Sequence, residues 1–437
     1  MNGANAARIV VVGTGYVGLT TGACLASLGH RVTCVDVDQA KVARLAAGRV
    51  DIMEPGLAEL VARGLTMRRL GFVSGAREAV REAEAVFLCV PTPMGAGGAA
   101  DLRAVEAVAA EIAEVLPAGC ALVTKSTVPV GTSRRIRDLL GREDLPVVSN
   151  PEFLREGTAV ADFLGPDRIV VGSDDAAAAR WVAGLYRDLS APSVVTDAAS
   201  AELMKYAANC FLAMKLSYVN SVAELCERLG ADIDAVTEGM GYDRRIGRSF
   251  LKPGPGWGGS CLPKDTQALL RIAESARFDF GLLTAAVEEN IAQRDRVIAK
   301  IAGAAGGDLS GARIGLLGLA FKAGTDDLRN SPALSIASVL CAHGAEVTAY
   351  DPAVGGELPG MTVVDDAHRV AKGADVVVVL TEWDEFRRLD WGYLAELMVG
   401  DAVVDTRNLL DPRQILGAGL SWQGIGRPRR ERRLTTT

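Results

Sequence analysis

One local pattern, present twice, restricts this chain more than any other. Arg8-Ile-Val-Val-Val12 is a short β-branched run that leads straight into Gly13-Thr-Gly15-Tyr-Val-Gly18 and then an apolar helical stretch through Ala23, Leu25 and Leu28. A second strand, Arg31 to Val35, ends in Asp36. A strand, a G-x-G-x-x-G turn, a helix and an acid about 20 residues further on are the parts of a βαβ unit built to hold a dinucleotide. The second occurrence starts at Ala312-Arg-Ile-Gly-Leu-Leu317 and Gly318-Leu-Ala-Phe-Lys322, and Leu340 to Asp351 then repeats the plan of Leu25 to Asp36. It lacks the three-glycine fingerprint and puts Lys322 where the tight turn is expected. It is therefore read as holding a phosphate by charge rather than by a glycine-cradled backbone.

In the first unit, Gly13, Gly15 and Gly18, with Tyr16 and Val17 between them, are expected to bring a pyrophosphate onto the helix N-terminus. Asp36 is expected to accept from the adenosine ribose hydroxyls and to repel a 2′-phosphate, which favours NAD over NADP; Lys41 nearby softens that preference. A fold of this kind with no cofactor is the bland alternative. The apolar strand Ala85 to Val90 ends in Pro91-Thr92-Pro93, and Ala121 to Ser126 ends in Thr127-Val128-Pro129. Ligands bind beyond the carboxyl ends of parallel strands, so Pro91, Thr92 and Thr127 are candidates for cofactor or substrate contact, with turn chemistry alone as the other reading. Leu145 to Ser149 ends in Asn150-Pro-Glu152-Phe153-Leu154-Arg155-Glu156-Gly157. Glu152 and Glu156 share a face if this segment is helical, and otherwise read as solvated glutamates.

The pattern from Ala201 to Leu229 is helical, and Lys205 and Asn209 stand one turn apart in it, a pair suited to a polar ligand or a bound water. Ala231 to Met240 reads as a shorter helix, and Leu282 to Ala302 as the long connection between the halves. Between these helices Phe250-Leu251-Lys252-Pro-Gly-Pro-Gly256-Trp-Gly258-Gly-Ser-Cys261 is too rich in glycine and proline for helix or strand. Pro263 and Lys264-Asp265 begin a helix directly after it, so Cys261 sits at a helix N-terminus with an ammonium three residues away, and both features favour the thiolate. The expected class is α/β: two Rossmann-like doubly wound parallel-sheet domains joined by a central helical domain with a long connecting helix. The boundaries read as residues 1–197 for the NAD-binding domain, 198–304 for the helical domain with the cysteine loop, and 305–437 for the second nucleotide-type domain.

Composition removes several functions. The other cysteines, at 24, 34, 89, 120, 210, 226 and 341, lie in apolar periodic segments, form no C-x-x-C pair and read as core. Scattered cysteines of this kind suggest a reducing, cytoplasmic compartment and neither a disulfide framework nor a metal site. A formal net charge of −7 argues against nucleic-acid binding. There is no apolar run long enough for a membrane span and no secretory signal pattern. Arg427, Arg429, Arg430, Arg432 and Arg433 cluster near the end and read as a disordered, solvated tail. His30, His343 and His368 all lie away from the candidate positions, so acid–base work falls to Glu, Lys, Asp or a bound water.

The motifs together resemble the UDP-glucose/GDP-mannose dehydrogenase family. Those that carry the resemblance are Gly13-x-Gly15-Tyr-Val-Gly18, Pro91-Thr-Pro93, Ser126-Thr-Val-Pro129, Asn150 to Glu156, Lys205-x-x-x-Asn209, Gly258-Gly-Ser-Cys261-x-Pro-Lys-Asp265 and Gly318 to Arg329. They run in family order over nearly the whole chain, and Pro253 to Gly259 with the Tyr218-Val-Asn-Ser helix look more like the UDP-glucose branch. The resemblance implies a four-electron, NAD-dependent oxidation of a nucleotide sugar at C6, through a thiohemiacetal and a thioester on Cys261. It implies Glu152 for thioester hydrolysis and proton relay, Lys205 and Asn209 for the oxyanion, Asp265 as general-base support, and Thr127 for a water or the cofactor. Glu156, Lys264 and Arg329 are implied at NAD. Glu152 to Glu156, Lys205, Asn209, Arg245, Phe250, Leu251, Lys252, Gly256, Gly258, Lys322 and Arg407 are implied at the sugar nucleotide. A dimer or dimer-based assembly through the central helices is also implied. A TDP-glucose or GDP-mannose substrate stays open, and so does a cofactor-binding regulatory protein without turnover.

Overall fold

The structure, a computed structural model, describes residues 6–428. The chain gathers into two compact units, one running to Ala208 and including Gln267–Phe278, the other made of Asn209–Thr266 and the chain from Asp279 onward.

The first unit is built on an eight-stranded sheet of order β3-β2-β1-β4-β5-β6-β7-β8. Its strands are β1 (Arg8–Val12), β2 (Arg31–Val35), β3 (Leu70–Val73), β4 (Ala85–Leu88), β5 (Ala121–Thr124), β6 (Val147–Ser149), β7 (Ile169–Gly172) and β8 (Ser193–Thr196). Period-2 alternation sends Ile9, Val11, Phe87 and Val123 into one core layer and Val10, Val12, Val86 and Leu88 into the other. Both faces are thus covered, as a parallel sheet requires. All pairings are parallel except β6 with β7, where Ser149 meets Gly172 antiparallel. The sheet is parallel as expected apart from that one pair, with the short helix Ala159–Leu164 in the connection between the two strands. Strand order reverses between β1 and β4, and the crevice at such a reversal is where doubly wound sheets bind ligands.

The second unit contains a wholly parallel sheet of order β11-β10-β9-β12-β13-β14. Its strands are β9 (Arg313–Leu317), β10 (Glu346–Tyr350), β11 (Met361–Val363), β12 (Val376–Val379), β13 (Ala402–Asp405) and β14 (Ser421–Gly424). Ile314, Leu316, Val376 and Val378 face one layer, with the helices Pro332–Ala342 and Gly281–Ala304; Leu317, Val377, Val379, Trp391 and Trp422 fill the other. Ser331 caps the first of these helices by accepting from the Leu334 N–H, and proline starts it.

The repeat in the sequence is a repeat in structure. Gly13 takes φ 97° and donates to Val35 O at 2.8 Å; Gly318 takes φ 101° and donates to Tyr350 O at 2.7 Å. Side chains rarely adopt such backbone, so both turns need glycine. The tight turn of the second unit is therefore at Gly318, and Lys322 lies four residues beyond it rather than in it. The acids correspond too: Asp36 accepts from the Thr14 N–H at 2.9 Å, and Asp351 accepts from Leu319 and Ala320 N–H at 2.7 and 3.0 Å.

Other expectations move slightly. Strands read as 85–90, 121–126 and 375–380 stop two, two and one residues sooner, where the chain leaves the ladder for its loops. Cys341 is half-buried, its thiol turned to Gly360 O at 3.1 Å, whereas the other cysteines read as core are buried. Arg427 is not part of a solvated tail: it pairs with Asp232 and Asp234 and lies 5.6 Å from the Trp422 ring. Arg429, Arg430, Arg432 and Arg433 lie outside the described residues. Among those described, no helix is long and apolar enough to cross a membrane.

Candidate active site

Functional side chains occur in two groups, one in each unit. In the first unit Gly15 precedes the helix Tyr16–Ser27 with no side-chain cap, and nothing stands within 4 Å of where its Cβ would be. A Cβ on Gly18 would come 1.9 Å from Gly13 O, so the helix can approach the turn only without one. Uncapped N–H groups at an unobstructed helix start fit a pyrophosphate. Asp36 at the tip of β2 takes Thr14 Oγ1 at 2.5 Å and Lys41 Nζ at 3.5 Å. Its partial burial favours the acid form, but the hydrogen bonds from Thr14 and Asp38 and the Lys41 charge outweigh this and hold the carboxyl below its ordinary range.

The hydroxyl of Tyr16 does something the sequence did not show. It donates to Glu54, a buried carboxylate that also accepts the N–H groups of Gly157 at 2.8 Å and Val160 at 3.3 Å. The helix start at the glycine turn is thereby tied to the loop after β6. Burial, then Glu54, pushes the Tyr16 phenol far up, so it stays a donor. The signal for Glu54 was only a lone acid in Met-Glu-Pro-Gly. The loops after β4 and β5 are joined as well, by Thr92 Oγ1 donating to Thr127 O at 2.9 Å. Pro91 belongs to the first of these loops.

Residues 150–155 are not helical, so Glu152 and Glu156 are not stacked on one helix face. Pro151 restricts Asn150 to extended backbone and the segment leaves β6 as an irregular loop. Glu152 turns back on itself, one oxygen accepting the Leu154 N–H at 2.6 Å and the other Lys205 Nζ at 3.1 Å. Both partners are buried, with side chains 7% and 4% exposed. Lys205 projects from the helix Ala198–Leu229 and sits 5.2 Å from the Phe153 ring, whose centroid the Arg168 guanidinium approaches to 3.6 Å. Buried charges persist only when paired and hydrogen-bonded, and this pair meets both conditions. The Arg155 guanidinium pairs with Asp162 at 2.5 Å, at the start of the next helix. Leu154 packs against the core.

In the second unit Cys261 is exposed and stands immediately before the helix Leu262–Ser275, its carbonyl accepting the Asp265 N–H at 2.9 Å. Asp265, one turn on, is buried and takes Asn209 Nδ2 at 2.6 Å and Lys264 Nζ at 2.5 Å. The Lys264 ammonium therefore faces Asp265. Cys261 lies 3.7 Å from Ser260 Oγ.

The loop before Cys261 is shaped by polar side chains that sequence reasoning passed over. Asn220 accepts the Gly254 N–H at 2.9 Å, Gln293 donates to Gly254 O at 2.7 Å, and Asn290 bonds both the N–H and the carbonyl of Trp257 at 2.7 and 2.9 Å. The Trp257 indole donates to Ser217 at 2.9 Å. Their only signal was an amide or hydroxyl within an otherwise apolar helix face. Phe250 takes φ 62° at the loop entry, Leu251 is buried and Lys252 is exposed. Gly256 has Asn290 where a Cβ would point, and a Cβ on Gly258 would stand 2.1 Å from Asn330 O.

This loop meets the carboxyl edge of the second sheet. Arg407, just after β13, donates to Leu380 O at 2.8 Å and Phe321 O at 3.1 Å and pairs with Glu382 at 3.1 Å, and it lies 3.5 Å from where a Gly254 Cβ would be. Lys322 is 5.6 Å from the Phe321 ring. Arg329 pairs with Asp327 at 2.7 Å, and Arg245 with Asp243 at 2.6 Å on an exposed turn.

A glycine-turn dinucleotide unit, a buried lysine–glutamate pair, an exposed thiol at a helix start and a second nucleotide-type sheet define an oxidoreductase of nucleotide-linked substrates. Three models of the UDP-glucose/GDP-mannose dehydrogenase family match in succession: the NAD binding domain over residues 7–190, the central domain over 199–292 and the UDP binding domain over 315–412. The chain belongs to that family and is an NAD-dependent nucleotide-sugar dehydrogenase. It is 44% identical to UDP-glucose 6-dehydrogenase of Rhizobium meliloti (strain 1021), over 96% of this chain and 100% of that protein. It is 42% identical to UDP-glucose 6-dehydrogenase TuaD of Bacillus subtilis (strain 168), over 96% and 93%. A UDP-glucose dehydrogenase structure from Pyrobaculum islandicum superposes with a TM-score of 0.88 at 38% identity, covering 98% of this chain and 99% of that one. A UDP-D-ManNAc dehydrogenase from Pyrococcus horikoshii reaches 0.87 at 30%, covering 96% and 99%.

Proposed function

We propose that the chain oxidises UDP-glucose at C6 to UDP-glucuronate, a four-electron reaction that consumes one water. The observation that carries this reading is the exposed Cys261 thiol one turn from Asp265, on which Asn209 and Lys264 converge. Bound NAD supplies the chemistry of a hydride acceptor, used twice per substrate. Gly13, Gly15, Tyr16, Val17, Gly18, Asp36, Lys41, Pro91, Thr92, Thr127, Glu156, Lys264 and Arg329 are proposed to hold it.

Lys205 and Asn209, one turn apart on one helix, are proposed to hold the C6 oxygen and to stabilise it as it gains negative charge. Cys261 Sγ adds to the aldehyde carbon, giving a thiohemiacetal that loses its hydride to become a thioester. Glu152 takes a proton from the water that attacks the thioester carbon, the C–S bond breaks, and the thiol and carboxylate are released. Thr127 orients that water or the cofactor, and Asp265 holds Asn209 and Lys264 in place. Phe153, Leu154, Arg155, Arg245, Phe250, Leu251, Lys252, Gly256, Gly258, Lys322 and Arg407 are proposed to bind the sugar nucleotide.

Steady-state rates on UDP-glucose, TDP-glucose, UDP-galactose and GDP-mannose, each with NAD and with NADP, test the assignment. UDP-glucose should be preferred, and NADP should lower kcat/KM by roughly a hundredfold, since Asp36 meets a 2′-phosphate with like charge. A clear preference for another sugar nucleotide would overturn the substrate while leaving the chemistry.

A homodimer is proposed through the helix Ala198–Leu229. Phe211, Tyr218 and Leu225 are 60%, 58% and 52% exposed at seven-residue spacing, a stripe suited to a second copy of the same helix. Sedimentation should show a dimer that Tyr218→Glu dissociates; a monomeric wild type would sink the idea.

A further inference from the structure

Lys125 follows β5 by one residue and is 5% exposed. Its ammonium donates to Asn150 Oδ1 at 3.2 Å, and Tyr186 donates to the same oxygen at 2.6 Å. Asn150 Nδ2 in turn donates to Val170 O at 2.7 Å, so the amide is held at both ends. The rings of Phe163 and Tyr186, packed against each other with centroids 5.8 Å apart, lie 5.7 and 5.5 Å from the ammonium. A lysine buried against a neutral amide and two rings is a costly arrangement, and a fold keeps such a group where it has a task. Asn150 lies two residues before Glu152 and just before Pro151, so its side chain fixes the point from which the Glu152 turn departs.

We propose that Lys125 is a positioning residue for the oxidation: its ammonium, seated against the paired rings of Phe163 and Tyr186, locks the Asn150 amide and with it the turn that presents Glu152 to Lys205. The proposal rests on the assignment of Glu152 and Lys205 to the reaction. Nothing in it requires Lys125 to touch substrate or cofactor.

The charge of Lys125 changes within a usable pH range. Burial pulls it down to about 8, against the opposing effects of Cys89 and Glu152 and with a further push from Lys205. The thiols that face it, Cys89 and Cys24, are both pushed up to about 12 by burial, and the Tyr186 phenol is pushed up as well, so Glu152 and Lys205 are its charged neighbours. In the unfolded chain a lysine titrates near pH 10.4. Between about 8 and about 10 the unfolded state thus binds more protons than the folded one, and folded stability rises with pH over that window. Over the same window the lysine loses its charge-assisted bond to Asn150 and its attraction to the rings.

Three forms of the full-length protein decide the matter: wild type, Lys125→Met and Lys125→Arg. The Met variant should lose at least about tenfold in kcat on UDP-glucose with KM for NAD within about twofold, and the Arg variant should recover most of the loss. The wild-type kcat divided by that of the Arg variant should fall as pH passes through about 8, because only the lysine discharges; thiol titration is common to both and cancels. Independently of turnover, the wild-type urea midpoint should rise relative to that of the Met variant between about pH 8 and about pH 10. A Met variant with unchanged kcat, an Arg variant as poor as Met, a pH-independent kcat ratio, or parallel urea midpoints would each overturn the proposal. Wild type that turns over no sugar nucleotide overturns the functional reading itself, whereas active wild type with an indifferent Met variant overturns only the role of Lys125.

Discussion

Cys261→Ala should abolish uronate formation, by at least about a thousandfold in rate, while the protein stays folded and binds NAD. A thousandfold is about 4 kcal/mol of barrier, a modest figure for removing the atom on which the thioester forms. The fold should tolerate the change because the thiol is exposed. The structural work of Cys261 is done by its carbonyl, which accepts the Asp265 N–H at 2.9 Å and is kept in alanine. Wild type should release two NADH per acid with little free aldehyde. The variant should make at most one NADH per sugar nucleotide and stop at the aldehyde. Undiminished acid from the variant, or one NADH per acid in wild type, would show that the thiol carries no intermediate.

The second large effect concerns the buried pair. Lys205→Met should cost about 3–5 kcal/mol of stability, because it strips the nearest cation, 3.1 Å away, from a carboxylate with little access to water. It should also lower kcat sharply, since nothing else on that helix turn offers a positive charge to the C6 oxygen. Glu152→Gln should behave differently. The amide fits the same space and still accepts from Lys205, so the stability loss should be smaller. Hydrolysis should slow, however, until an acyl adduct on Cys261 accumulates and shows in the intact mass. Lys205→Met with unchanged urea stability would mean the pair is far better solvated than its burial indicates. Glu152→Gln without adduct and with normal turnover would remove Glu152 from the hydrolytic step.

The residues differ in how legible they were. Gly13 to Gly18, Asp36 and the loop ending in Cys261 could be read directly, because each depends on neighbours in sequence: a turn that needs positive φ, a strand that ends in an acid, a thiol beside a helix start. The ion pair of Arg155 with Asp162, seven residues away, was not legible, because the loop that brings the two together has no regular period. Glu152 and Glu156 would share a face only in a helix, and residues 151–155 form an irregular loop in which Glu152 is held by the Leu154 N–H and Lys205. Glu54, Lys125, Asn220 and Gln293 were missed outright. Each is a lone polar residue with a partner 25 to 106 residues away in sequence.

By itself the sequence determined two βαβ units with their glycine turns, the helical stretch between them, the family and an unusual cysteine. The units, turns, helices and cysteine setting follow from local propensity and from periodicity of 2 or 3.6, which neighbouring residues impose on one another, and the family from the resemblance of its motifs. Only tertiary structure decided which loop ends meet. Strand order β1-β4-β5-β6 sets the ends of β5 and β6 side by side, and that adjacency brings Lys125 to Asn150. Lys205 reaches Glu152 across 53 residues of chain, and Asn209 reaches Asp265 across 56. A buried ion is tolerated only where its partner and its hydrogen bonds converge, and that convergence is a property of the packed sheets and helices rather than of any segment within them.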